Sequence, residues 1–144
     1  MNELRQRAIK LLARREHSRA ELARKLSSLG TQEEIDAVLA DLAQSGLLSD
    51  ARTASAYVRS HAARFGAARL RQTLRQKGID SEVIDAQLGE LDVADELSRA
   101  RAVWAKKFSG APLDAKEWAR QARFLQSRGF GADVIRKLLK EPLS

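Results

Sequence analysis

A chain of 144 residues with 26 Lys and Arg against 19 Asp and Glu carries a formal charge of +7, which favours a polyanion or an acidic protein surface as partner. It holds no cysteine, so disulfides, thiolate nucleophiles and cysteine-based metal sites are excluded, and no long apolar run or signal-like N-terminus points to a membrane. Apolar residues make up 44% and aromatics only 5%, with alanine and leucine leading and β-branched residues few, a composition that favours helices over strands.

The first helix is expected over roughly Asn2 to Arg15, burying Leu4, Ala8, Leu11 and Leu12, with Arg7, Lys10 and Arg14 outward. Ser18 and Glu21 fit a capping box that opens a second helix, burying Leu22, Leu26 and Leu29 before Gly30. Thr31 and Glu34 form another box before a third helix with Ile35, Val38, Leu39 and Leu42 inside, which Gly46 stops. Ser49 or Asp50 caps the fourth helix, which runs to about Phe65 and puts Ala54, Tyr57, Val58, His61 and Phe65 on one face.

After the break at Gly66, Ala67, Leu70 and Leu74 give the fifth helix its buried face. Gly78 closes it, since glycine takes the left-handed conformation that ends a helix, and Lys77 suits the negative end of the helix dipole. Asp80 or Ser81 caps the sixth helix, which buries Val83, Ile84 and Leu88. The seventh carries a seam of Val93, Leu97, Ala100, Trp104 and Phe108, and Ser109 to Pro112 then form the one loop expected to be flexible. The eighth helix, about Leu113 to Arg128, sets Ala115, Trp118, Ala122 and Leu125 against an opposite stripe of Lys116, Arg120, Arg123 and Ser127, with Phe124 at its border. Gly129 closes it as Gly78 closes the fifth, and a ninth helix buries Val134, Ile135, Leu138 and Leu139 before Pro142.

These elements repeat. Leu74, Gly78, Ile84 and Leu88 recur in spacing as Leu125, Gly129, Ile135 and Leu139, and with one residue fewer as Leu26, Gly30, Ile35 and Leu39. The glycines lie about fifty residues apart, a period that fits three helices per copy. The expected fold is therefore all-α: three tandem three-helix repeats, residues 1–48, 49–91 and 92–144, in an elongated array, curved or straight. Each copy is too small to bury its own core, so neighbours must share one. Their formal charges, +1, +2 and +4, rise towards the C-terminus.

No catalytic constellation is present. His17 and His61 fall in different copies, His17 in a loop before a cap and His61 on an apolar face. Phosphate-loop, HExxH and GxSxG motifs are absent. The chain is expected not to be an enzyme and to need no cofactor or metal. The helix-glycine-helix units invite a DNA-binding helix-turn-helix reading. Leu26, Leu74 and Leu125, however, stand where a small residue would let those helices approach, so sequence-specific DNA binding is the weaker of two binding readings. The features that point to a partner are basic: Arg71 with Arg75 on the fifth helix, and Lys116, Arg120 and Arg123, with Arg128 at the end, on the eighth.

RREHSRAELARKL at Arg14 to Leu26, GLLSDAR at Gly46 to Arg52, GAARLRQTLRQKGI at Gly66 to Ile79 and FLQSRGF at Phe124 to Phe130 together resemble the signature segments of the RecX family, regulators of the RecA recombinase. The resemblance covers nearly the whole chain. One departure is Ala51, where the family commonly has an acid. What the resemblance implies is a cytoplasmic, non-enzymatic protein of three three-helix units. It would bind the RecA filament on DNA, lie along its groove, and restrain its ATPase, strand-exchange and co-protease activities in recombination and the SOS response. A monomer is expected. The alternative is a helical regulator that acts directly on single- or double-stranded DNA. Ser18, Gly30, Asp50, Gly78 and Gly129 are read as structural caps and turns rather than as contacts.

Overall fold

Each segment with a 3.6-residue apolar period forms a helix in the computed structural model, which describes residues 3–91 and 93–140. Among the described residues there are nine helices and no strand: α1 (Glu3–Arg14), α2 (Arg19–Leu26), α3 (Gln32–Gln44), α4 (Asp50–His61), α5 (Ala67–Gln76), α6 (Ser81–Leu88), α7 (Val93–Lys107), α8 (Ala115–Ser127) and α9 (Ala132–Leu139). The expectations for Asn2 and Pro142, and for the side chain of Val93, lie outside the described residues. Packing divides the chain into two units, Met1–Tyr57 with Leu74–Gln87, and Val58–Thr73 with Leu88–Ser144. The middle sequence copy contributes helical turns to both, so the unit of sequence repetition and the unit of packing differ.

In the first unit Ala8, Leu22, Leu26, Ile35, Leu39, Leu42 and Leu48 form the core, with Leu4, Ile9, Leu11 and Leu12 half-buried against it. Both capping boxes form: Ser18 and Thr31 accept from the amides of Glu21 and Glu34, and each glutamate accepts from its cap amide. Of the two candidates before α4, Ser49 is the cap, its hydroxyl accepting from the Arg52 amide at 3.1 Å. Asp50 instead accepts from the Arg19 amide at 2.8 Å, capping α2 from a distance in sequence. Leu29, expected inside, is 54% exposed, because α2 ends at Leu26 and the following turn carries it away from the core face.

His17 lies in the loop before the Ser18 cap, as expected, and it is buried there. Its Nδ1 lies 3.0 Å from the Arg15 carbonyl oxygen and its Nε2 3.0 Å from the Lys25 ammonium. That geometry fixes the neutral ring, with Nδ1–H donating and Nε2 accepting. Burial is the main force holding the His17 pKa below 6.5, aided by the charges of Arg15 and Lys25 and opposed by the Arg15 carbonyl.

The second unit is built on Ala100, Leu125, Phe130, Val134, Ile135 and Leu139, with Leu97, Trp104 and Trp118 half-buried around them. Gln121, which no apolar pattern would place inside, is buried. It accepts from the Trp104 indole at 2.7 Å and donates to the Gly110 carbonyl at 3.2 Å. The 109–112 loop thus has one hydrogen bond to α8, at the Gly110 carbonyl.

One joint recurs, once in each unit. In the first, the C-terminal turn of α5 meets the start of α2: the Ser18 hydroxyl donates to the Lys77 carbonyl at 2.5 Å, and a Cβ on Gly78 would come within 2.4 Å of the Ala20 Cβ. In the second, the C-terminal turn of α8 meets the start of α5. The amides of Gly66 and Ala68 donate to the carbonyls of Arg128 and Gly129 at 2.8 and 3.2 Å. A Cβ on Gly66 would lie 2.3 Å from the Gly129 oxygen, and one on Gly129 2.3 Å from the Arg69 Cβ. Gly78 and Gly129 have φ of +78° and +92°, the region that favours glycine. Gly30 does not share it and lies against Leu4 instead.

Gly129→Ala is expected to destabilise the protein by about 1–3 kcal/mol from backbone strain alone, and further by displacing Arg69. Gly110→Ala, where a Cβ meets nothing within 4 Å, should change stability by no more than about 0.5 kcal/mol. Urea unfolding of the two variants checks this, and equal midpoints would show that the close approach is not made.

Because His17 is held neutral, folding binds fewer protons there than the unfolded chain does. Its contribution is fully present above pH 6.5 and is lost as pH falls below that value towards the lowered folded pKa. NMR titration of the His17 ring should give a midpoint below 6.5; a midpoint at or above it would contradict the buried arrangement.

Candidate partner-binding surface

The eighth helix starts where Asp114 accepts from the Glu117 amide at 2.8 Å, and its Trp118 and Leu125 face the core. That orientation leaves Lys116, Arg120 and Arg123 exposed on the other side. The three differ chemically. Arg120 is engaged: it donates to both Glu117 oxygens, at 2.9 and 2.6 Å, and its guanidinium lies 5.0 Å from the Phe108 ring centre. Hydrogen bonds from Arg120, and a second from Gln121, push the Glu117 carboxyl down to about 2. Lys116 and Arg123 pair with no acid among the described residues, whereas Arg120 is paired with Glu117. Glu117 is the residue whose effect was missed, although its position three residues before Arg120 was a visible signal.

Arg75 is exposed on α5, while Arg71, one turn earlier, is half-buried and already engaged within the protein. Arg128 stands apart from the α8 row. It follows the last turn of α8, with its guanidinium 4.9 Å from the Phe124 ring centre, and Lys107 approaches the same ring at 5.8 Å. Arg128 lines a cleft of about 420 Å³ within the second unit, together with Arg64, Arg69 and Lys106. Sequence reasoning did not single out those three, because they come from three separate segments. The nearest signal was that Arg64 and Arg69 flank Phe65.

Ser18 and Asp50 are bonded within the first unit, as described, and Gly78 and Gly129 are the contact points of the two joints. Glu21 also belongs to the first joint. Burial works to raise its pKa, but the Ser18 amide and the Lys77 ammonium, 3.2 Å away, hold it below 4.5. Among the described residues no cluster of three metal-ligating side chains occurs, and no helix is long and apolar enough to cross a membrane. The described surface of α8 offers charge and hydrogen-bond donors.

Family models described as the first, second and third three-helix domains of RecX match residues 5–42, 49–88 and 94–139. A protein of Leptothrix cholodnii named Regulatory protein RecX is 51% identical over 95% of this chain and 87% of its own length. One of the same name from Chromobacterium violaceum is 46% identical over 94% and 88%. The crystal structure of RecX from Lactobacillus salivarius superposes with a TM-score of 0.85 at 21% identity, covering 96% of this chain and 93% of that one; at that identity the likeness speaks for the fold. With three domain matches in order and close relatives along nearly its full length, this chain belongs to the RecX family.

Proposed function

We propose that this chain is a cytoplasmic, non-enzymatic regulator that binds the RecA filament on DNA and restrains its ATPase, strand-exchange and co-protease activities. Membership of the RecX family along nearly the full length carries the reading. The relatives' printed name, regulatory protein, agrees with a binding rather than a catalytic role.

On the molecule itself, Lys116 and Arg123 offer two exposed cations on one helix that pair with no acid among the described residues. Such groups lose little on meeting carboxylates or phosphates, because no internal ion pair must first be broken. Arg120 contributes differently: bound to Glu117 and laid over Phe108, it stiffens the face rather than supplying a free charge. Arg75 adds a further exposed cation. Arg71 is the weakest contact candidate, since using it would disturb an existing interaction.

The test is RecA ATPase on single-stranded DNA, titrated with this protein. Inhibition is expected well below one molecule per RecA. Lys116→Ala/Arg123→Ala should raise the half-inhibiting concentration roughly tenfold, equivalent to about 1.4 kcal/mol, with unchanged helicity. No inhibition by the intact protein would remove the reading; inhibition unaffected by the double variant would move the contact off α8.

A further inference from the structure

The two recurring joints are built alike but charged differently. In the first unit the docked turn carries Lys77 and the receiving helix carries Glu21, and the two form an ion pair at 3.2 Å. Aligning Leu22 with Leu70 and Gly78 with Gly129, the positions of Glu21 and Lys77 are taken in the second unit by Arg69 and Arg128. An opposite-charge pair has become two like charges. Arg64 and Lys106 join them on one cleft of about 420 Å³ whose described lining residues include no acid. Among the described residues none of the four is paired with a carboxylate.

The cations are ordered by other means. Arg69 lies 4.5 Å and Arg64 5.6 Å from the Phe65 ring centre, Arg128 sits on Phe124, and Arg69 donates to the Ser127 carbonyl at 2.9 Å. Gathering like charges without counter-charge works against folding, and holding guanidiniums on aromatic faces keeps most of their N–H donors unspent. The walls between them are apolar, with Phe65 and Val103 facing the cleft. A ligand that brings regularly spaced anions joined by less polar groups matches this lining better than scattered carboxylates would.

We propose that this cleft seats the phosphate backbone of a nucleic-acid strand, with Arg64, Arg69, Lys106 and Arg128 contacting the phosphates and the apolar wall facing the sugars. This deepens the filament reading by giving DNA a place on the protein. It is measured on naked DNA without RecA, so its failure is distinguishable from failure of the regulatory role.

Arg64 and Lys106 are exposed, and among the described residues their side chains make no hydrogen bond or ion pair, so Arg64→Gln/Lys106→Gln tests the site without dismantling the joint. Fluorescence anisotropy with a labelled oligothymidine is expected to show about 25-fold weaker binding for this pair at about 0.1 M salt. The slope of log K against log salt should become shallower by about 1.4, as for two lost phosphate contacts on a single strand. Arg7→Gln/Lys10→Gln removes the same charge from the exposed side of α1, which belongs to neither surface, and should change affinity by less than about twofold, since it touches none of those contacts. Equal losses in both pairs, or unchanged binding in the cleft pair, would overturn the proposal. So would displacement of the oligothymidine by poly-glutamate at equal charge, or by inorganic phosphate at equal phosphate, as readily as by unlabelled strand.

Discussion

Each unit depends on the docking of one helix's C-terminal turn onto another helix's first turn. The end of a helix leaves carbonyls without partners, and the start leaves amides without partners. At the second joint these unmet groups meet directly, through Gly66 to Arg128 and Ala68 to Gly129. Opposed ends of two helix dipoles are brought together there, which adds a favourable electrostatic contribution. Backbone can come this close to backbone only without a Cβ, and that condition explains why glycine stands on both sides at Gly66 and Gly129.

The rest of each unit supports that contact with different chemistry at matching places. Asp50 accepts from the Arg19 amide beside the first joint, and Glu96 accepts from the Ala67 amide beside the second. Thr53 donates to the His17 carbonyl, while Arg99 donates to the carbonyl of Ala62 at 2.5 Å. The same geometry also places the cations. Phe65 precedes Gly66, Arg128 precedes Gly129, and Arg69 touches Gly129, so the basic cleft is a direct product of the docking. Where the first unit neutralises this position with Glu21 and Lys77, the second leaves it charged. The fold is thus maintained by hydrogen bonds and glycine packing, which frees the side chains around it to differ.

Much of this fold is legible in the sequence because leucine spacing, capping boxes and glycine stops are local signals. Ser18, Thr31, Gly78 and Gly129 could be assigned from their immediate neighbours. What the glycines touch could not, since Gly66 and Gly129 are distant in sequence and their match is a matter of shape. His17 and Gln121 were hidden for a related reason: a polar residue enters a core only when partners from other segments satisfy it, here Lys25 for one and Trp104 for the other. Arg120 was legible as a surface cation but not as a neutralised one, because the i and i+3 pairing with Glu117 was outweighed by the longer stripe it belongs to. Of the cleft only Arg128 was visible, as its four cations share no periodicity.

The most direct test of the account is residue-resolved amide hydrogen exchange at Gly66 and Ala68. In an isolated helix these N-terminal amides have no partner and exchange fast. If the α8 turn is docked as described, both should be protected to a degree comparable with amides in the middle of α5. Exchange at the rate of unstructured amides would contradict the joint and, with it, the placement of the basic cleft.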